Sequence, residues 1–310
     1  MTKVSVIIPT AKRPKLLRRA LDSAFAQTMH DIEVIVVVDG PNEETLAMLG
    51  GEQDCRLRIL HNPSSIGPGA ARNAGAAIAR GQWLAFLDDD DEWMPRKLEV
   101  QLAAGERNPN ALITCRCQVI TPRGTFVWPR RIYDGSMPID EYAFDRRSIW
   151  RGDSYLATPT FFLRKDVFMR SRFGTTSQHE DTTLLLRVTK EQGGKIIMLP
   201  DVLVVIHAEQ SGGLSQGSNF AWREVLGWAD GMGALLTRRA YSGLCLVTLA
   251  SQAKVHSDYA AIPVLWKLSW QKGAPTPMQI LVFSAFWLVP MGPRRALRAF
   301  VLRWSKPHSA

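Results

Sequence analysis

Four short runs dominated by apolar residues, 4–8, 32–38, 57–60 and 83–87, alternate with stretches whose apolar positions recur every three or four residues. The first such stretch places Leu16, Leu17, Ala20, Leu21, Ala24 and Phe25 at helical spacing, and comparable segments cover about 43–49, 68–80 and 95–106. Strands that are apolar on both faces need helices on both sides, so this order predicts an α/β fold with a mostly parallel, helix-covered sheet. Ligands of such sheets bind beyond the carboxyl ends of the strands. The residues just after each run are therefore where chemistry is expected.

Composition removes several other classes. With 310 residues, 46% hydrophobic and 22% charged, the chain is ordinary globular material, not a disordered, collagenous or disulfide-built one. The net charge of +9 is unevenly placed: from Arg238 onward ten Lys/Arg face the single acid Asp258, and residues 1–237 balance at 28 against 28. Those basic residues stand among Trp and apolar runs and form no RNA- or DNA-binding motif, so no nucleic-acid partner is expected. Cys55, Cys115, Cys117 and Cys245 form no CxxC pair, and the close pair Cys115 and Cys117 is too small for a zinc site. They read as reduced structural residues. The opening residues run directly into the first strand without a signal-peptide pattern, which predicts a cytoplasmic chain.

The four strand ends read Pro9-Thr10-Ala11-Lys12-Arg13, Asp39-Gly40, His61-Asn62 and Asp88-Asp89-Asp90-Asp91. Four successive carboxylates at the mouth of a buried strand repel one another, a cost that a cation offsets. Hard oxygen ligands point to Mg²⁺ or Mn²⁺. A helix cap accounts for one of these acids but not for all four. Gly67-Pro68-Gly69 faintly suggests a dinucleotide-binding oxidoreductase, but Arg72 stands where a third glycine belongs and the first strand–helix turn has no glycine.

Taken together, Ser5 to Thr10, Glu33 to Gly40, Gly69-Ala70-Ala71-Arg72-Asn73-Ala74-Gly75 and Phe86 to Trp93 resemble the blocks of glycosyltransferase family 2, in their order and spacing. His179-Glu180-Asp181-Thr182 resembles the family's Glu-Asp element at the start of a helix. The resemblance covers about residues 3–210 and implies the Rossmann-like A-type nucleotide-sugar fold. It implies an inverting, metal-dependent transferase that moves a sugar from a nucleotide donor, UDP-linked by preference, to a hydroxyl of a glycan or a lipid-linked saccharide. Donor contacts would fall on Pro9, Thr10, Arg13, Asp39, Arg72, Asp88 and Asp89, with Asp88 toward the ribose. Asp90 would be the direct metal ligand and Asp181 the general base, with Asp91 as a cap for the next helix. Ala11 departs from the pattern, since an aromatic is usual there, and Asp39 is single where the family often has a pair.

Each of these residues also has an ordinary reading. Asp39 beside Gly40-Pro41 suits a turn, Arg72 and Asn73 suit a solvated helix as well as a diphosphate at a helix start, and acids at 180–181 suit a helix dipole. His207, after the run 202–206, is either a hydrogen-bonded structural residue or a third metal ligand. The Gly/Ser stretch 210–217 suits a loop that closes over donor. Trp128, Arg130, Arg131, Tyr133, Trp150 and Tyr155 suit an acceptor site, and the Trp and Tyr among them equally suit a half-buried wall of the fold. A catalytically degenerate, membrane-bound scaffold is the non-enzymatic alternative, against which the retained carboxylates argue.

These readings divide the chain into a catalytic domain at 1–218, with a donor half at about 1–110 and an acceptor half at about 111–218, and a helical, basic region at 219–310. The apolar segment 278–289 has 12 residues, about 18 Å as a helix, too short to cross a bilayer upright. Leu297, Phe300, Val301 and Trp304 share a helical face beside Arg294, Arg295, Arg298 and Arg303. That arrangement suits a helix lying in an anionic interface, and so a peripheral place at the inner face of the plasma membrane, or else a helical subdomain packed on a core or a second subunit.

Overall fold

The computed structural model describes residues 2–122, 124–147, 152–176, 178–208 and 222–288. The chain divides into two compact units, one of residues 1–143 and 150–236, the other of residues 144–149 and 237–310. Trp150, the stretch 210–217 and the tail face at 294–304 lie outside the described residues.

The first unit is built on a nine-stranded sheet. Its parallel half contains β1 (Val4–Thr10), β2 (Ile32–Asp39), β3 (Leu57–Asn62) and β4 (Trp83–Phe86) in the spatial order 3-2-1-4. Every residue of β1, β2 and β4 is buried. Helices α1 (Pro14–Phe25), α2 (Glu43–Gly50) and α3 (Pro68–Ile78) link these strands. Along α1 the buried positions are Leu17, Ala20, Leu21 and Ala24, the spacing that turns one face to the sheet. Helix α3 lies close on the sheet because residue 75 is glycine: a Cβ there would sit 2.7 Å from Ile7 Cγ2 and 2.9 Å from Val37 Cγ2.

The remaining strands are β5 (Glu92–Trp93), β6 (Ala111–Thr121), β7 (Gly124–Trp128), β8 (Phe162–Arg164) and β9 (Lys195–His207). From β4 the sheet continues through antiparallel β8 to β6, then to β9 parallel to β6, with β5 antiparallel at its edge and β7 paired to β6. The β6–β9 register shifts around Arg116, where β9 passes through Pro200-Asp201, and proline has no N–H for a rung. The expected helix-covered, mostly parallel sheet is therefore present, with antiparallel strands on its second half. Around it stand α4 (Lys97–Arg107), α5 (Ile139–Phe144), α6 (Lys165–Ser171), α7 (Glu180–Leu186) and α8 (Trp222–Met232).

Strand order reverses between β1 and β4, the place where open α/β sheets leave a crevice. The last rung there is Leu87 N–H to Ile7 C=O at 3.0 Å. Carbonyl and N–H groups facing one neighbour recur every second residue of a parallel strand. The next group of β1 turned toward β4 is thus the nitrogen of Pro9, which has no hydrogen. The strands part there, and Asp88 to Asp91 turn away. One expectation fails at this turn: Asp91 does not cap α4. The short strand β5 intervenes, and the residue before α4 is Arg96, which makes no side-chain cap.

In the second unit α9 (Arg238–Gly243) runs through wider π-type turns at Leu244–Leu249 into α10 (Ala250–Val255), followed by α11 (Ala261–Gln271) and α12 (Pro277–Leu288). Helix α12 carries no charged residue. Among the described residues no helix is long and apolar enough to cross a membrane.

Behind the acidic turn, Lys97 is fully buried at the start of α4, with its Nζ 3.8 Å from the centroid of the Trp93 ring. Burial pulls the amine down to about 7. The unfolded chain therefore binds this proton more readily than the native one between pH 7 and 10.5, and native stability falls as pH drops through that window. We expect Lys97→Met to raise Tm by about 5 °C at pH 7. The advantage should shrink toward pH 10, as read by thermal unfolding at several pH values.

Candidate active site

Three strand ends meet at the crevice. From the end of β1, Thr10 donates its hydroxyl to Asp89 Oδ2 at 2.7 Å, and Arg13 reaches Asp89 at 2.7 Å and Asp90 at 3.0 Å. Arg19 on α1 donates to the carbonyl of Asp90 and faces Glu92 at 3.3 Å. Thr10, Arg13, Asp89 and Asp90 thus form one hydrogen-bonded group, with Pro9 at its root.

Asp39, at the end of β2, faces the loop before α3. Its carboxylate accepts from Asn62 Nδ2 (3.2 Å), Ser65 Oγ (2.9 Å), the Ile66 N–H (2.9 Å) and the Gly67 N–H (2.9 Å). In this structure it organises residues 62–67 and so the start of α3. Gly40, at φ 95°, makes the turn that frees the strand end for this contact.

Arg72 is buried, not solvated. Its guanidinium bonds Asp88 Oδ1 at 2.5 Å and Glu180 Oε1 at 3.2 Å, joining the acidic turn to the start of α7. Asn73, the next residue, clamps the backbone of Phe173: its Nδ2 donates to the carbonyl at 3.1 Å and its Oδ1 accepts the N–H at 3.0 Å. Helix α3 therefore fastens the segment that leads into Glu180 and Asp181. Neither of these long-range contacts could be read from spacing, because the partners lie about a hundred residues away.

Glu180 and Asp181 open α7, preceded by His179 in the left-handed conformation at φ 60°. Asp181 Oδ1 accepts from the N–H (2.6 Å) and hydroxyl (3.2 Å) of Thr182. Burial and the adjacent charge of Asp181 raise Glu180 to about 7 against the pull of Arg72. Trp228 on α8 stacks on the His179 ring at 4.7 Å and donates its indole N–H to Thr183 Oγ1 at 2.9 Å, which covers this turn. The Trp228 contribution was not anticipated from the sequence. Burial is also the largest influence on Tyr155, whose hydroxyl is pushed up further by the nearby carboxylates of Asp91, Asp88 and Asp181. Asp181 and the acidic turn thus act on one and the same side chain.

His207 ends β9 beside β5. Its Nε2 lies 2.6 Å from Glu92 Oε1, and its backbone N–H donates to Asp91 Oδ1 at 3.2 Å. The ring thus meets Glu92 and not Asp90. Among the described residues no three His, Cys, Asp or Glu side chains converge into an ion cage. The donor chemistry nevertheless fits a hard divalent ion. Acids outnumber the arginines at the mouth, and Asp90 and Asp91 are both raised, first by burial and then by like charge from neighbouring carboxylates. Mg²⁺ needs only one or two protein carboxylates when substrate phosphates complete its shell. Asp90, the ligand expected from the sequence, would be enough for that number.

Of the aromatics expected to line an acceptor site, Trp128 and Tyr155 meet edge to face at 5.2 Å, while Tyr133 packs on Tyr142 at 5.1 Å. Arg131 lies over the Tyr142 ring, and Arg130 hydrogen-bonds through its N–H to Gly152 C=O.

The buried Arg72 bridge generates a stability prediction. Arg72→Met leaves the half-buried Asp88 and Glu180 without their shared cation and should cost about 2–3 kcal/mol in urea unfolding. Arg72→Lys should recover only part of that loss, because an ammonium lacks the fork that reaches two carboxylates.

Comparison with known proteins agrees with this architecture. A model of glycosyl transferase family 2 matches residues 5–172, more than half of the chain, and the chain belongs to that family. An uncharacterized glycosyltransferase of Haemophilus influenzae is 28% identical over 195 residues, 61% of this chain and 62% of the relative. The succinoglycan biosynthesis protein ExoW of Rhizobium meliloti is 43% identical over 104 residues, 32% of each chain. The chain thus spans less than two-thirds of either relative. Among solved structures, S. aureus TarS residues 1–349 in complex with UDP-GlcNAc superposes with a TM-score of 0.59 at 19% identity, covering 83% of this chain and 73% of that one. This likeness shows a shared fold.

Proposed function

We propose that this member of glycosyl transferase family 2 transfers a sugar, with inversion, from a nucleotide-sugar donor to a hydroxyl of a glycan or lipid-linked saccharide. The observation that carries the proposal is the Arg72 bridge. It ties Asp88, in the acidic turn of the donor side, to Glu180, the immediate neighbour of Asp181. A donor diphosphate and an acceptor hydroxyl then have carboxylates of different duty within one connected cluster. A UDP-linked donor is the preferred class, a reading supported by the TarS complex with UDP-GlcNAc.

Pro9, Thr10 and Arg13 form the wall for the nucleotide, with the loop that Asp39 organises beside them. Asp88 serves the ribose, and Asp89 is held in place by Thr10 and Arg13. Asp90 would hold Mg²⁺ or Mn²⁺, whose charge would offset that developing on the departing diphosphate. His207 joins that set only by exchanging Glu92 for the ion. Arg72 acts as a positioning residue, since both of its forks are committed to carboxylates.

Asp181 takes the proton of the acceptor hydroxyl. The acceptor oxygen forms its bond to the anomeric carbon while the bond from that carbon to the diphosphate oxygen breaks, and the nucleoside diphosphate leaves with the electron pair. One displacement from the opposite face inverts the anomeric centre. Glu180 is less suited to the task, because Arg72 already engages its carboxylate at 3.2 Å.

A panel of nucleotide sugars with and without Mn²⁺, scored for binding by calorimetry and for hydrolysis and transfer by chromatography, tests the reading. Asp181→Asn should keep donor affinity within about threefold and lose transfer by about 10²–10⁴-fold. Asp90→Ala should abolish the Mn²⁺ dependence of donor binding. Full transfer by Asp181→Asn would remove it as the base, and an unchanged Mn²⁺ response in Asp90→Ala would remove the ligand assignment.

A further inference from the structure

The second unit presents a surface that the transfer chemistry does not use. Among the described residues, the two exposed tryptophans, Trp266 and Trp270, both lie on α11, with ring centroids 5.9 Å apart. The ring contacts continue without a break, from Trp266 to Phe283 at 5.6 Å, from Phe283 to Trp287 at 6.3 Å, and from Trp287 to Tyr259 at 5.7 Å. Trp270 is 51% exposed and Tyr259 57% exposed. This chain of rings runs across α11, α12 and the turn before α11, with Phe283 buried and Trp266, Trp270 and Tyr259 exposed. Leu281 and Leu288 are also exposed, on a helix without a single charge.

These rings are flanked by ammonium groups. Lys254 lies 5.1 Å from the centroid of Tyr259 and 5.3 Å from that of Trp287. Lys267 is exposed between Trp266 and Trp270 in the sequence of α11. From Arg238 to the end of the chain Asp258 is the only acid against ten basic residues. Such a surface suits an anionic partner. A second copy would bring like charge against like charge. Five of those ten basic residues and no acid lie in the chain's own residues 289–310, so that segment meets the same repulsion.

From the apolar rings, the adjoining lysines and the near absence of acid, we infer that this face docks on an anionic lipid surface. Trp and Tyr have an apolar body and a polar tip, the form that settles at the level of lipid headgroups. Lysines beside them add attraction to anionic lipid. No described helix is long and apolar enough to span, so the unit lies on the surface with its rings at the headgroup boundary. The inference is independent of the proposed sugar transfer, because it concerns a different unit and is read by vesicle binding alone.

The test is co-sedimentation of the full chain with vesicles of phosphatidylcholine alone or with 30% phosphatidylglycerol, at low and high salt. Binding is expected only with the anionic vesicles and should weaken as salt rises. Lys254→Gln and Lys267→Gln should each lower the partition coefficient about fivefold, the equivalent of about 1 kcal/mol per charge. Trp266→Ser with Trp270→Ser should lower it at least about tenfold. Circular dichroism and Tm of each variant check that folding is retained. Equal binding to neutral and anionic vesicles, or none to either, would overturn the inference. So would a dimer in sedimentation velocity that Trp270→Ser dissociates, which would assign the face to a second copy.

Discussion

The site depends on one buried cation. Arg72 lies almost out of reach of solvent and holds Asp88 with one arm and Glu180 with the other. Taking a guanidinium out of water is costly, and the fork offsets that cost by meeting two half-buried carboxylates at once. Everything that fixes the position of Arg72 therefore bears on the chemistry. Gly75 lets α3 lie against Ile7 and Val37, Asp39 sets the loop from which α3 starts, and Asn73 draws the Phe173 backbone toward it.

The acidic turn distributes its charge among different partners. Asp88 goes to Arg72, Asp89 to Thr10 and Arg13, Asp90 to Arg13, and Asp91 to the backbone of His207. These assignments separate four chemically identical side chains by geometry alone. Burial raises Asp89 to about 6 even though Arg13 and Thr10 oppose it. A site in this condition is prepared for added positive charge, and a divalent ion arriving with a diphosphate would supply it.

The parallel half of the fold was legible because its signals are local. A strand covered on both faces must be apolar throughout, and the residues that end it follow directly in the chain, so Thr10, Asp39 and the run from Asp88 were located before any pairing was known. What escaped detection needed contacts between distant segments. The two-residue β5 is too short to show a period, and its pairing with β9 is what displaces Asp91 from the helix it was expected to cap. His207 meets Glu92 across 115 positions, and Trp228 covers α7 from a helix whose own pattern shows only an apolar face. Arg72 reads from the sequence as a donor contact or a solvated helix residue, and its bridge to Glu180 is hidden for the same reason.

Pro9 gives the crevice an origin that differs from the rest of the fold. Its floor is marked by an imino acid that lacks a hydrogen, and not by the size of a side chain or the balance of charges. A feature written into covalent structure does not soften with heat, titrate with acid or fade in brine. The missing rung between the two central strands is thus fixed by the residue itself, while the ion pairs around it answer to acidity and salt.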